Sequence, residues 1–204
     1  MKVKIKMSEF FIELFSEEIP AKLQINARKN LYENFKKFFD ENGVSVKGRF
    51  DVFSTPNRLV LRIDKITKVI IRKAEEIRGP NLKAPEIALE GFIRSNNINK
   101  NQIFKKKTEK GDFYFFKKAS KKIKTFDLIK ENLPSILDKI SWNKSMKWNN
   151  HDLFWGRPLK SILTVFDGKK LEFNFHHLVS SNSTFIEKDL EEQTKSFESF
   201  KSYY

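Results

Sequence analysis

Three turn signals divide this chain into antiparallel pairs. Thr55-Pro56-Asn57 lies between two stretches of strand character, residues 48–54 and 58–64. Pro56 removes a backbone donor, so the ladder breaks there. Lys110-Gly111-Asp112 separates 103–107 from 113–118, and Asp167-Gly168 separates 159–166 from 171–178. Both read as hairpins. Helical patterns alternate with these pairs, which predicts an α+β fold: antiparallel sheets and hairpins with packed helices, with room for two small subdomains, instead of a doubly wound parallel sheet. A chain of 204 residues can bury one good core or two small ones.

The helical patterns are specific. Residues 9–15 form an apolar, aromatic run of buried-strand length, and Pro20 then suits the first turn of a helix. Leu23, Ile25, Ala27, Leu31, Phe35, Phe38 and Phe39 are spaced for one helical face, closed by Asn42-Gly43. Such a stripe is core packing, not a ligand site. In 58–64, Leu59, Leu61 and Ile63 alternate with Val60, Arg62 and Asp64, the pattern of a half-buried strand. An extended stretch over 66–78 ends at Gly79-Pro80. Pro85 opens a short helix that stops at Asn96-Asn97, and Thr125 is placed to cap a helix to about residue 140, with Pro134 as a kink or boundary. Past Ser180 the composition turns acidic and polar.

Lys and Arg number 40 against 26 Asp and Glu, a net charge of +14 that favours a polyanionic partner, nucleic acid first. From residue 104 to 124 there are nine lysines and two acids, so this hairpin region alone carries +7. Its lysines suit phosphate contact; its aromatics, Phe113, Tyr114, Phe115 and Phe116, suit base stacking if exposed and core if not. A solvated basic hairpin is the plainer reading of the same residues. The chain has no cysteine, which excludes disulfides, thiolate zinc sites and cysteine nucleophiles and fits a reducing compartment. No apolar run reaches the ~18 residues of a membrane span, and the basic start is not followed by the long apolar stretch of a secretory signal.

Catalytic signatures are missing: no Gly-rich phosphate loop followed by Lys and Ser or Thr, and no nucleophile elbow. His176-His177 are adjacent, and adjacent strand side chains diverge, so no metal is expected on them. His151-Asp152 lacks the further ligands of a phosphohydrolase site. Glu17-Glu18 stands where a strand meets a helix, where carboxylates favour the helix N-terminus. Arg58 follows the rigid turn at Pro56 and can grip a carboxylate or a phosphate in a fork. An internal carboxylate, with Glu17 and Glu18 as candidates, and an RNA backbone are equally open as its partner.

Five stretches in fixed order remain: Ser16-Glu17-Glu18-Ile19-Pro20-Ala21-Lys22, Thr55-Pro56-Asn57-Arg58-Leu59, Arg78-Gly79-Pro80, Ala88-Leu89-Glu90-Gly91-Phe92-Ile93-Arg94-Ser95, and Met146-Lys147-Trp148 with Phe154-Trp155-Gly156-Arg157-Pro158. Together they resemble the N-terminal part of the beta subunit of bacterial heterotetrameric glycyl-tRNA synthetase, which typically reads Glu-Glu-Leu-Pro-Pro-Lys, Thr-Pro-Arg-Arg-Leu, Lys-Gly-Pro, Ala-Glu-Gly-Phe-Ala-Arg-Ser, Met-Arg-Trp and Phe-X-Arg-Pro. The resemblance covers 8–184, with 1–7 as an N-terminal extension and 185–204 as a divergent acidic tail. It departs where the family commonly carries a Gly-His-Arg-Phe element: here stands Ser183-Thr184-Phe185-Ile186-Glu187-Lys188.

The resemblance implies a cytoplasmic glycine–tRNA ligase of two alpha and two beta subunits. ATP and glycine are bound by the partner alpha subunit, and this chain carries no cofactor, no metal and no catalytic residue. Expected partners are the alpha subunit, the glycine tRNA and a second beta subunit, without a membrane. The expected RNA contacts are Arg58, Lys105, Lys106, Lys107, Lys117, Lys118, Lys147 and Arg157. A stand-alone basic RNA-binding module and an assembly domain that never touches RNA are the alternatives.

Overall fold

The computed structural model describes residues 6–186 and 193–204. Residues 1–5 of the expected extension and 187–192 of the expected acidic tail lie outside the described residues. In chain order the elements are β1 (Met7–Ser16), α1 (Ala21–Asn42), β2 (Val46–Ser54), β3 (Arg58–Thr67), β4 (Val69–Arg72), β5 (Glu75–Asn81), α2 (Glu86–Asn96), β6 (Ile103–Thr108), β7 (Gly111–Lys118), β8 (Lys121–Lys124), α3 (Thr125–Asp138) and β9 (Leu159–Phe166). The short pieces β10 (Lys169–Lys170), β11 (Asn174–Phe175), β12 (Leu178–Val179), β13 (Ser183–Phe185), β14 (Thr194–Ser196) and α4 (Phe200–Tyr203) follow. Helices and antiparallel sheets are segregated as an α+β fold requires, in two units: residues 1–70 with 124–204, and residues 71–123.

The larger unit is built on an antiparallel sheet of order β10-β9-β1-β3-β2. Its central strand, β1, is buried along nearly its whole length because both faces are covered. Phe10 points to one face and meets Phe35 of α1 at 5.8 Å between ring centroids, while Phe126 of α3 meets Phe166 of β9 at 6.0 Å. Phe11 points to the other face, where Val60, Leu163 and Val165 form a cluster closed by Phe197 and Phe200. Burying a side chain such as Phe11 stabilises the fold by about 1.5–3 kcal/mol. The half-buried pattern expected for β3 is therefore incomplete: Val60 is buried as well, because the C-terminal segment covers the face it occupies.

Other local expectations are corrected by packing. On α1, Leu23, Ala27, Leu31, Phe35, Phe38 and Phe39 are buried, but Ile25 is 61% exposed. Two residues turn an α-helix by about 200°, which carries Ile25 to the opposite side from Leu23. Thr125 does not cap α3: its hydroxyl donates to the Thr67 carbonyl, and Lys124 holds the cap position without a side-chain bond. Pro134 sits inside α3. Residues 171–178 are not one strand. Leu171, Phe173 and Phe175 are buried, but the Ser180 hydroxyl accepts from the Phe173 N–H and donates to the Leu171 carbonyl, and the chain reverses at His176, φ 50°. Side-chain oxygens thus satisfy backbone groups that a ladder would have used.

The smaller unit is a three-stranded sheet of order β5-β7-β6 with α2 on one face. Phe92 of α2 packs on Phe116 of β7 at 5.9 Å. β5 runs through Gly79-Pro80 instead of ending there. Its other face carries Phe113 and Phe115, with cations laid over them. The pair β4–β8 forms a two-stranded sheet of its own.

Candidate nucleic-acid interface

The five sequence stretches fold into two packing knots. In the first, the 16–22, 55–59 and 154–158 stretches meet at the end of β1. The Ser16 N–H donates to the Asn57 carbonyl at 2.8 Å, Glu17 N–H to Pro158 at 2.9 Å and Ile19 N–H to Pro56 at 2.7 Å, while the Asn57 amide returns a bond to the Ser16 carbonyl at 3.1 Å. The prolines fix φ and so present their carbonyls at low entropic cost. In the second knot, the 78–80 and 88–95 stretches meet: a Cβ on Gly79 would lie 2.7 Å from the Phe92 ring. Gly79 is a seat for Phe92. Gly156 plays the same part for Trp142, whose indole occupies the space of a Cβ.

Arg58 leaves the first knot to join a buried ionic node. Its Nη1 lies 2.6 Å from Glu13 Oε2 and 3.1 Å from the Thr184 hydroxyl, and Nη2 donates to the carbonyls of Phe185 at 2.6 Å and Ile186 at 3.2 Å. Its guanidinium carbon is 4.7 Å from the centre of the Phe15 ring. Glu13 is fully buried and also accepts from the hydroxyls of Thr184 and Tyr203. Burial first, then the Glu13 charge, drives the Tyr203 hydroxyl far above its ordinary pKa, so it stays a donor. The carboxylate partner is thus Glu13 of β1, two residues along the strand from Phe15, and neither Glu17 nor Glu18. Glu17 pairs with Lys160 at 2.7 Å. Sequence reading passed over Glu13 because it sits alone in an apolar run; the missed signal was a charge inside a strand buried on both faces.

The lysine-rich hairpin divides its charge between two faces. Lys105 opposes Tyr114 and Lys106 opposes Phe113, so successive β6 lysines point to opposite sides of the sheet. Lys106 sits 5.6 Å from the Phe115 ring centre and pairs with Glu76 at 2.5 Å; that hydrogen bond and the ammonium charge hold the Glu76 carboxyl below its ordinary range. Lys118 reaches Glu75 at 3.8 Å, and Lys105, Lys107 and Lys117 are exposed. Phe113 and Phe115 are buried, so the aromatic residues are floor and the cations are surface. Arg78, which sequence reading did not nominate, lies over Phe113 with its guanidinium carbon 3.5 Å from the ring centre, and has no ion-pair partner among the described residues.

Lys147 and Arg157 belong to the loop between α3 and β9. Lys147 pairs with Asp152 at 2.9 Å and lies 5.2 Å from the Phe154 ring centre; Arg157 is half-buried and bonds the Gly156 carbonyl at 3.3 Å. The eight expected residues are therefore spread over both units. The two adjacent histidines go to different partners, His176 to Asp138 at 2.9 Å and His177 to the ring of His151. Among the described residues no group of three or more His, Cys, Asp or Glu side chains is placed to hold a metal ion, and no helix is long and apolar enough to cross a membrane.

Comparison with known proteins gives a consistent result. A family model described as glycyl-tRNA synthetase beta subunit matches residues 10–204. Relatives named glycine–tRNA ligase beta subunit include one from Rickettsia prowazekii (strain Madrid E), 40% identical over 179 residues, or 88% of this chain and 27% of that protein. Another, from Rickettsia canadensis (strain McKiel), is 37% identical over 197 residues, 97% of this chain and 29% of that protein. A third, from Rickettsia typhi (strain ATCC VR-144 / Wilmington), is 40% identical over 179 residues, 88% of this chain and 27% of that protein. The chain belongs to the glycyl-tRNA synthetase beta subunit family. It spans little more than a quarter of the length of these relatives.

Proposed function

We propose that this chain supplies RNA contacts to a cytoplasmic glycine–tRNA ligase, which joins glycine to its tRNA at the expense of ATP. In this reading a partner alpha subunit binds ATP and glycine, and this chain contributes no reacting group. One observation carries the RNA reading. The unit of residues 71–123 holds fourteen Lys and Arg against six Asp and Glu, with the lysines of β6 and β7 exposed. Exposed ammonium groups over a rigid sheet neutralise phosphates and release counterions, which makes affinity fall steeply with salt.

The test is titration of the glycine tRNA at several salt concentrations. The parent chain is expected to show a steep log–log slope, and the Lys105→Ala, Lys106→Ala, Lys107→Ala triple variant a flatter one. Because these lysines alternate between faces, the loss should be smaller than three phosphate contacts, each worth about 0.7–0.9 in the slope. An unchanged slope removes these residues from the interface. In the same preparation, glycine, ATP and tRNA without an alpha subunit should yield no glycyl-tRNA.

A further inference from the structure

The loop between α3 and β9 is tightly built, yet it holds large apolar side chains in solvent. An antiparallel bridge between Met146 and Trp155, with N–O distances of 2.9 and 3.2 Å, closes it. Inside, the His151 N–H donates to the Trp148 carbonyl at 3.3 Å, Asn149 turns the chain at φ 53°, and Lys147 pairs with Asp152 across the loop. The His151 ring lies flat on His177, with centroids 3.7 Å apart and planes within 7°. The Trp148 indole borders both imidazoles, at 5.6 and 6.4 Å. Trp148 is 44% exposed and Phe154 58%, whereas Trp155, in the same stretch of sequence, is buried against Trp142.

This arrangement fixes an indole outward instead of letting it collapse onto the core. Its surroundings are basic: residues 138–160 contain five Lys and Arg against two Asp. The Lys147–Asp152 pair is exposed, and exposed pairs are weak enough to exchange for a phosphate. Aromatic faces interleaved with cations suit unpaired nucleic acid, whose bases stack while its phosphates meet the cations. A protein helix would ask for a continuous aliphatic groove, which this loop lacks.

We propose that Trp148, backed by the His151–His177 stack, is a platform for an unpaired base of an RNA strand, with Lys147 beside it for the adjoining phosphate. The inference rests on the reading of this chain as an RNA-contacting piece. It assigns the loop to single-stranded RNA and leaves the lysine sheet of the smaller unit its salt-dependent phosphate role. Trp148 acts through its ring face, so its contribution is insensitive to salt.

The experiment uses the 204-residue chain, a labelled unstructured RNA oligonucleotide of uridines, and an RNA duplex of equal length. Anisotropy reads affinity, and tryptophan fluorescence reads stacking. Trp148→Ala should weaken single-strand binding about 5- to 150-fold, with the salt slope and the duplex affinity unchanged. Trp148→Phe should keep most of the affinity but lose the fluorescence quench. The Lys105→Ala, Lys106→Ala, Lys107→Ala variant should flatten the slope and keep the quench. Unaltered melting curves identify the Trp148 effects as local. RNA binding that is indifferent to both Trp148 variants overturns the platform and leaves the RNA reading standing. No binding of either RNA by the parent chain overturns both. Unchanged RNA affinity with lost capture of the alpha subunit in Trp148→Ala would assign the loop to a protein interface instead.

Discussion

The two units use charge in opposite ways. The larger buries it: Glu13 lies inside a sheet covered on both faces, and Arg58, Thr184 and Tyr203 converge on it. The smaller displays it: one face of its sheet is closed by α2, and on the other Arg78 and Lys106 lie over Phe113 and Phe115 with their polar ends in solvent. Its 53 residues carry a net +8, and the other 151 together carry +6. Basicity is therefore concentrated in the smaller unit, which holds more than half of the net charge on about a quarter of the residues. A thick core can hold an ion pair that fixes its geometry, whereas a thin sheet keeps its cations available to a ligand.

The contrast breaks most readily in the core. Phe11→Ala should cost about 3–5 kcal/mol, since a fully buried ring is replaced by a cavity between β1 and the Phe197–Phe200 cover. Phe104→Ala, at a residue 38% exposed in the smaller unit, should cost under about 1 kcal/mol. Urea unfolding of the two variants measures the difference, and equal losses would mean that the smaller sheet has a core of the same rank.

Next in size is the ionic node. Arg58→Ala strands a fully buried carboxylate and should cost roughly 3 kcal/mol. Replacing both partners, Arg58→Met with Glu13→Leu, should recover part of it. If melting is unchanged in Arg58→Ala while RNA affinity drops, Arg58 is a surface contact and the charge of the larger unit is not structural.

Gly79→Ala sharpens the comparison from the other side. Its new Cβ presses on Phe92, so hydrogen exchange should quicken across residues 71–123 while β1 and β3 keep their protection. The expected local loss is about 1–3 kcal/mol. Uniform loosening of both units would show that they unfold as one.

The smallest effect is acid sensitivity in the larger unit. Burial, then the facing His151, holds the His177 imidazole below its ordinary pKa of 6.5. The unfolded chain then takes up the proton more readily than the folded one. This contribution to stability is fully present above pH 6.5 and is lost as pH falls through the folded value. His177→Asn should flatten the fall of melting temperature in that window. The lowered carboxylates, Glu76, Asp152 and Glu172, titrate below their ordinary values near 4 and leave the window clear.

Much of the candidate site was legible as motifs but not as roles. The Thr55-Pro56-Asn57 turn was readable because proline's φ is local, and the same turn delivers Arg58. That Arg58 would meet Glu13 was not, because the pair is 45 residues apart in sequence and its burial depends on Thr184 and Tyr203 arriving from the far end of the chain. Gly79 and Gly156 lie within the quoted stretches, yet the rings that need them, Phe92 and Trp142, lie 13 and 14 residues away and come close only through tertiary folding.

The sequence by itself determined the α+β class, the positions of α1 and α2, and the 103–118 hairpin, because helix periodicity, turn chemistry and proline geometry act within a few residues. Tertiary structure decided what local periodicity cannot: that Val60 is buried, that Leu171 and Phe173 give backbone groups to Ser180 instead of to a ladder, and that Phe113 and Phe115 are buried instead of exposed for stacking. The reason is common to all three. Burial and backbone satisfaction depend on what covers a surface, and here the cover is supplied by segments distant along the chain.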